Sequence, residues 1–341
     1  MTRASGATAP RTAVMMRDVG IGDLVWLAAY AQRIAASSAD GQVTLLAPPT
    51  TQARELLGHE PWLREVIDFD RRPRRGENRR GRHAGLAGLL GFAAELSARS
   101  IERVVLFTNR PLPVSFACWW AGVGQRLGYS AARTQRLWLT RAARPVELYR
   151  GPAVAAYWNA TALCLSHGWC DGPLVPRLTV RPDARARMQA ELADLPRPLH
   201  VLAIGSSEPA KQWGAQRFAD LAHLLAARGE SVLLLGGPAE HALADAVLTQ
   251  VPQALRANVR AVTDRSIGES AAILALADTC AGNDTGVANM AAALGTPTWV
   301  VLGPRPPLTH DPAMLKLLQA PGLSDIQPAD VARHLLATET A

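Results

Sequence analysis

Short apolar runs alternate with longer segments of helical periodicity through nearly the whole chain, and that pattern admits few folds. Ala13–Met16, Val43–Ala47, Glu65–Phe69 and Arg103–Phe107 read as strands separated by helical segments, the first from Leu24 to about Ala36. Val123–Tyr129 and Arg136–Leu139 read as weaker strands, and Val154–His167 as a helix. Strands that alternate with helices form parallel sheets covered on both faces. The alternation restarts beyond Asp171–Val180, a Gly- and Pro-containing stretch. There His200–Ile204, Ser231–Leu235, Val259–Val262, Thr279–Gly282 and Thr298–Leu302 read as strands, with a last helix over Pro328–Ala337. The 341 residues correspond to about two domains at ~150 residues each. The expected architecture is therefore α/β: two Rossmann-like domains, 1–175 and 176–325, followed by a terminal segment, 326–341. Ligands of such sheets sit at the C-terminal strand edges, where the strand order reverses.

Composition narrows the class. The apolar fraction is 48% and the charged fraction 19%, which excludes a mainly disordered chain or a coiled coil. The net charge of +7 favours anionic partners in general. Of the 36 basic residues only Lys211 and Lys316 are lysines, so a Lys at a candidate site carries more information than an Arg. Cys118, Cys164, Cys170 and Cys280 form no CxxC pair or zinc pattern and read as free thiols. The N-terminal residues lack the apolar run of a secretory signal, giving the expectation of a cytoplasmic protein. Gly151–Cys170 and Thr285–Pro304 lack charge but carry polar or turn-forming residues, and read as buried elements rather than membrane spans.

Four strand-to-helix turns carry the chemistry. The first, Asp18-Val19-Gly20-Ile21-Gly22-Asp23, resembles a dinucleotide fingerprint only superficially, because Val25 replaces the third Gly and no acidic residue ends the second strand. A nicotinamide oxidoreductase is disfavoured accordingly. Asp23 reads either as a helix cap or as a carboxylate placed to take a proton from a hydroxyl. The second turn, Gly205–Trp213, combines Ser206, Ser207 and Lys211 and suits a phosphate cradle. The third, Leu235–Glu240, reads either as a tight strand-to-helix turn alone or as a turn whose Glu240 accepts hydrogen bonds from ribose hydroxyls. In the fourth, Asp284-Thr285-Gly286 ends a strand and opens a small-residue helix that includes Asn289. The Gly286 and Val287 N–H groups and the Thr285 hydroxyl would form a diphosphate site there.

Together these turns resemble glycosyltransferase family 9, whose best-known members are the ADP-heptose:lipopolysaccharide heptosyltransferases. The resemblance rests on Ile21–Asp23, the G-S-x4-K-x-W run over Gly205–Trp213, and GGPxE over Gly236–Glu240. It continues through NDTG over Asn283–Gly286, AAALGTPT over Ala291–Thr298 and LGP over Leu302–Pro304. It implies a GT-B fold, two Rossmann-like domains facing across a cleft with the last helix packing back onto the first domain. The implied reaction is inverting transfer from a nucleotide-activated sugar, with no cofactor required and no obligatory metal site; a divalent metal stays open. Asp23, beside Gly22, matches the catalytic carboxylate and Lys211 an active-site Lys. Asp284, Thr285 and Gly286 match the donor diphosphate loop, and Glu240 an acidic residue near the nucleoside. Asn289 stands where the family usually has His, and Gly214 where Pro commonly follows Lys-x-Trp.

The implied donor is ADP-heptose, or failing that another nucleotide sugar. The implied acceptor is an anionic glycan or glycolipid of a bacterial surface, such as lipopolysaccharide core, or in the alternative a protein or small molecule. The segment Arg71–His83 contains seven Arg, among them Arg71, Arg72, Arg74, Arg75, Arg79 and Arg80. It reads either as a solvated loop or as a surface for that acceptor at the cytoplasmic face of the inner membrane. A non-catalytic binder of anionic polymers is the rival built on the same segment. Nucleic acid is not expected, since no aromatic interleaving or known binding module accompanies the arginines. Trp119-Trp120, in an apolar stretch, reads as core rather than as a sugar platform.

Overall fold

The computed structural model describes residues 9–71, 79–130, 132–143, 158–206, 208–306 and 310–337. It divides into two compact units, Met1–Pro176 and Arg177–Ala341. Each is built on one six-stranded sheet whose strands all pair in parallel.

In the first unit the strands are β1 (Thr12–Met16), β2 (Val43–Ala47), β3 (Leu63–Asp68), β4 (Arg103–Phe107), β5 (Gln125–Tyr129) and β6 (Arg141–Ala143). Their order is β3-β2-β1-β4-β5-β6, so the direction of winding reverses between β1 and β4. Every residue of β1, β2 and β4 is buried, as strands covered on both faces must be. The helices are α1 (Ile21–Ala35), α2 (Ala53–Leu57), α3 (Gly85–Ala98), α4 (Leu112–Trp120) and α5 (Trp158–Ser166). Phe92, Leu96, Val114 and Cys118 from α3 and α4 pack with Met15, Leu46 and Leu106 of the sheet in one core.

Two expectations change here. Arg136–Leu139 is not a strand: Arg133–Arg136 forms a 3-10 turn, and the last strand begins at Arg141. Trp119 and Trp120 are exposed rather than core. Helix α4 already buries Val114, Ser115, Ala117 and Cys118, and successive ~100° steps turn the next two side chains outward. An element that is apolar all round gives no periodicity from which to read this.

The second unit repeats the plan with β7 (Leu199–Ala203), β8 (Ser231–Leu235), β9 (Val259–Val262), β10 (Thr279–Asn283), β11 (Thr298–Leu302) and β12 (Leu315–Gln319), ordered β12-β11-β10-β7-β8-β9. Its helices are α6 (Pro182–Glu191), α7 (Ala215–Ala226), α8 (His241–Gln250), α9 (Ile267–Leu276), α10 (Gly286–Ala293) and α11 (Pro328–Leu336). Helix α11 contributes to the core of this unit. Its apolar stripe, Val331, Ala332 and Leu335, is spent in the core that also holds Phe218, Leu221 and Leu225 of α7. No helix among the described residues is long and apolar enough to cross a membrane. Of the two uncharged stretches, Thr285–Pro304 divides into α10 and β11, and the described part of Gly151–Cys170 contains the nine-residue α5.

Candidate active site

Each unit gathers its candidate residues at the point where its winding reverses. In the first unit, the turn after β1 and the turn after β4 border a cavity of about 590 Å³. Arg17, Asp18 and Asp23 come from one side, Asn109 and Arg110 from the other, and Trp158 and Asn159 of α5 close it. The walls are tied together. The Arg17 guanidinium donates to the Arg110 carbonyl at 2.8 Å, and the Asn159 amide donates to Asn109 Oδ1 at 3.2 Å. Asn159 Oδ1 is buried and has no hydrogen-bond partner among the described residues.

Helix α1 begins three residues earlier than the sequence suggests, which makes Gly20 the N-cap and Asp23 the third helical residue. Asp23 Oδ2 accepts the Gly20 N–H at 2.8 Å while the side chain lines the cavity. The helix-cap and cavity-carboxylate readings of Asp23 therefore hold together, because a carboxylate has two oxygens and about four acceptor sites. Gly22 lies in the same first turn of α1.

Arg71 lines an adjoining cavity of about 400 Å³ with Arg17 and Asp18, at the same strand edge. Arg79 instead holds Asp70 at 2.5 Å, and Arg82 lies 3.4 Å from Glu95. Burial alone would raise the Asp70 carboxyl, but hydrogen bonds from Arg79 and the Arg82 backbone outweigh it and hold the group below its ordinary range. Arg80 is exposed. Arg72, Arg74 and Arg75 lie outside the described residues.

In the second unit the loop after β7 meets the start of α10. Lys211 Nζ lies 2.8 Å from Asp284 Oδ2 and 3.6 Å from Glu208 Oε1. Arg305, after β11, reaches Glu208 Oε2 at 3.1 Å, and its other terminal nitrogen is buried with no hydrogen-bond partner among the described residues. Two cations and two carboxylates thus alternate across the ends of three neighbouring strands, β7, β10 and β11. Beneath them Asn283, fully buried, donates to the Ile204 and Gly205 carbonyls at 2.8 and 3.0 Å and accepts the Trp213 N–H at 3.0 Å. It fixes the Lys211 loop to the end of β10. Gly282 allows the close approach: a Cβ there would lie 2.3 Å from the Ala203 carbonyl oxygen.

Thr285 is the N-cap of α10, its hydroxyl turned to the Ala288 N–H, and Asn289 donates back to the Thr285 carbonyl at 2.9 Å. The first N–H groups of a helix have no partner within it, so those at Gly286 and Val287 remain directed past the cap with the positive end of the dipole. Glu240 Oε2 accepts the Gly237 N–H at 2.7 Å, and its side chain lies within contact distance of where a Gly205 Cβ would stand. Ser206 is engaged with the Glu208 backbone. Ser207 lies outside the described residues. The His310 ring lies against the Asn289 backbone, and burial pulls it down to about 4, so it is neutral at pH 7.

No group of three or more His, Cys, Asp or Glu among the described residues is arranged to hold a metal ion. All four cysteines are free and buried, and burial pushes the Cys118 and Cys280 thiols up to about 12, far from reactive. Asn283, Arg305 and Asn159 are the residues that sequence reasoning passed over. Asn283 stands inside a motif it had noted, whereas Arg305 and Asn159 carry no local signal.

Two doubly wound units, each with its polar residues at a topological switch point, define a GT-B class of fold. Known structures agree. A glycosyltransferase family 9 structure from Veillonella parvula superposes with a TM-score of 0.82 at 20% identity, covering 98% of this chain and 99% of that one. The Escherichia coli ADP-heptose lps heptosyltransferase II superposes at 0.76 with 19% identity, covering 97% and 100%. The family model described as glycosyltransferase family 9 (heptosyltransferase) matches residues 91–319, and the chain belongs to that family. Among curated proteins, lipopolysaccharide heptosyltransferase 2 of Salmonella typhimurium is 29% identical over 168 residues. That match covers 47% of this chain and 48% of the relative, so the chain spans about half the length of the curated relative it matches.

Proposed function

We propose that this protein is an inverting glycosyltransferase that moves heptose from ADP-heptose to a hydroxyl of a bacterial surface glycan such as lipopolysaccharide core. The observation that carries the reading is the Lys211–Asp284 contact of 2.8 Å at the N-terminus of α10. It places a scarce lysine beside backbone N–H donors, the arrangement a departing diphosphate needs. Family membership and the ADP-heptose enzyme among the similar structures support the choice of heptose and adenine.

The chemistry divides between the two sets of residues. Asp23 takes the proton of the acceptor hydroxyl as its oxygen bonds to the anomeric carbon, a role worth about 10²–10⁴ in rate. Asn159 Oδ1 and Arg17 orient the acceptor in the cavity. Lys211, Arg305 and the Gly286 and Val287 N–H groups receive the charge on the departing nucleoside diphosphate, whose C–O bond breaks as the new one forms. Asp284 and Glu208 hold the two cations until phosphate oxygens replace them. Glu240 and Ser206 sit beside the nucleoside end of the same loop set. In this reading the displacement needs no cofactor, and the cations do the work that a metal does elsewhere. The protein acts in the bacterial cytoplasm, peripherally at the inner face of the inner membrane, with Arg71 toward an anionic acceptor and no role in nucleic-acid binding.

A transfer assay with ADP-heptose and a purified core acceptor tests the assignment. Wild-type protein should form the glycoside with inverted anomeric configuration. Retention of configuration, or turnover only with another nucleotide sugar, would contradict it.

A further inference from the structure

The face of α4 that the fold leaves outside is aromatic. Trp119 is 44% exposed, Trp120 61%, and Leu137, in the segment that packs beside α4, 70%. Their rings form one cluster. Trp119 lies 4.4 Å from Trp138 between ring centroids and 6.3 Å from Trp120, and Phe116 lies 5.5 Å from Trp138. A surface that holds two exposed tryptophans in mutual contact is not ordinary scatter of apolar residues.

Along this stretch of the chain the charge has one sign. From Arg103 to Ala143 the sequence contains no Asp or Glu, and it carries Arg133, Arg136 and Arg141 beside the aromatic cluster. Arg133 and Arg141 are exposed. Tryptophan at the water boundary, with arginine around it, is the composition that settles at the head-group level of an anionic bilayer. A protein partner of matching acidity would satisfy the arginines, but it gains less from indole rings standing clear of any groove. The neighbouring α3 turns Leu86, Ala87, Gly91 and Ala94 outward, so the uncharged surface extends beyond α4.

We propose that the outer face of α4, with the Arg133–Arg141 segment, is a docking surface for an anionic phospholipid bilayer. Trp119, Trp120 and Leu137 enter the head-group region and the arginines pair with lipid phosphates. Helix α4 starts at Leu112, just past the cavity residue Arg110, and runs about 12 Å to Trp120. The surface therefore sets how far from the bilayer an acceptor sugar has to stand to reach Asp23. The proposal rests on the membrane-surface location given above but assigns it to a different part of the first unit than the Arg71–His83 segment.

The test is cosedimentation with vesicles of phosphatidylethanolamine and phosphatidylglycerol, against phosphatidylcholine alone. Wild-type protein should bind the anionic vesicles, with a blue shift in tryptophan emission, and should be released by salt. The double variants W120S/L137S and R133E/R141E should each lower partitioning about tenfold or more, while transfer to a short soluble acceptor is kept. Circular dichroism identifies any variant that has not folded, and the pair replaces entirely different side chains. Vesicle binding unchanged in both variants but lost when Arg71, Arg79 and Arg80 are neutralised would overturn the proposal and leave the membrane location standing. Absence of wild-type binding would overturn both. A wild-type dimer that W120S/L137S turns into monomer would make the face a self-interface and likewise overturn the proposal.

Discussion

Asp23 caps α1 and lines the cavity, and in the proposed reaction it also takes the proton, so its substitution has to separate the two roles. An Asn at this position keeps an oxygen that can accept the Gly20 N–H, so the start of α1 survives while the proton acceptor is lost. Asp23→Asn should lower kcat by about 10²–10⁴ with donor affinity little changed, measured by steady-state turnover beside calorimetric titration. A fully active variant would remove Asp23 from the chemistry. His310 gives a second residue-level expectation. Its ordinary value is 6.5 and burial draws it down to about 4 in the folded chain. The unfolded chain therefore takes up the proton first as pH falls, and the stability from the neutral ring, complete above about 6.5, is lost as pH falls through about 4. Urea midpoints of wild type should fall over that window more steeply than those of His310→Gln; parallel profiles would contradict this. Residue identity was legible for Asp23 and Lys211 because each stands in a strand-to-helix turn, and Lys211 in a chain with only two lysines. Arg305 was hidden for the converse reason, as one Arg among 34.

At the scale of elements, the Lys211 loop depends on how closely β10 approaches β7. Gly282 has no room for a methyl group against the Ala203 carbonyl, and Asn283 next to it bolts the two strand ends together. Gly282→Ala should destabilise the second unit by about 1–3 kcal/mol, the usual cost of overpacking, and weaken nucleotide binding in parallel. Denaturant titration checks the first and calorimetry the second; an unchanged midpoint would show that the strands can part without cost. Most of the strand-and-helix order could be read directly, since buried parallel strands are short apolar runs and helices are longer, but the half-exposed edge strand β12 was not anticipated. Boundaries were less legible. Helix α1 starts at Ile21 rather than Leu24 because Gly22 is already helical behind an extended Gly20 N-cap that the Asp23 carboxylate holds, and β6 begins only at Arg141 because Arg133–Arg136 is taken by a tight turn. The outward turn of Trp119 and Trp120 depends on tertiary packing, which an all-apolar helix does not announce.

For the whole molecule, the same winding occurs twice and presents two different sets of polar groups. The first unit presents a carboxylate and hydrogen-bonding groups around a cavity suited to a hydroxyl-bearing acceptor. The second presents cations and a helix N-terminus suited to a diphosphate. Family membership follows from ordered motifs along the chain, whereas the placement of α11 in the second unit required knowledge of which surface its apolar stripe covers. The most direct measurement is calorimetric titration of wild type and Lys211→Ala with ADP, UDP, GDP and NAD⁺. Wild type should prefer ADP, and the variant should lose about 1.5–3 kcal/mol of that binding, the scale of a hydrogen bond to a charged group. Equal affinity in the two proteins, or a preference for NAD⁺, would contradict a donor diphosphate held at Lys211.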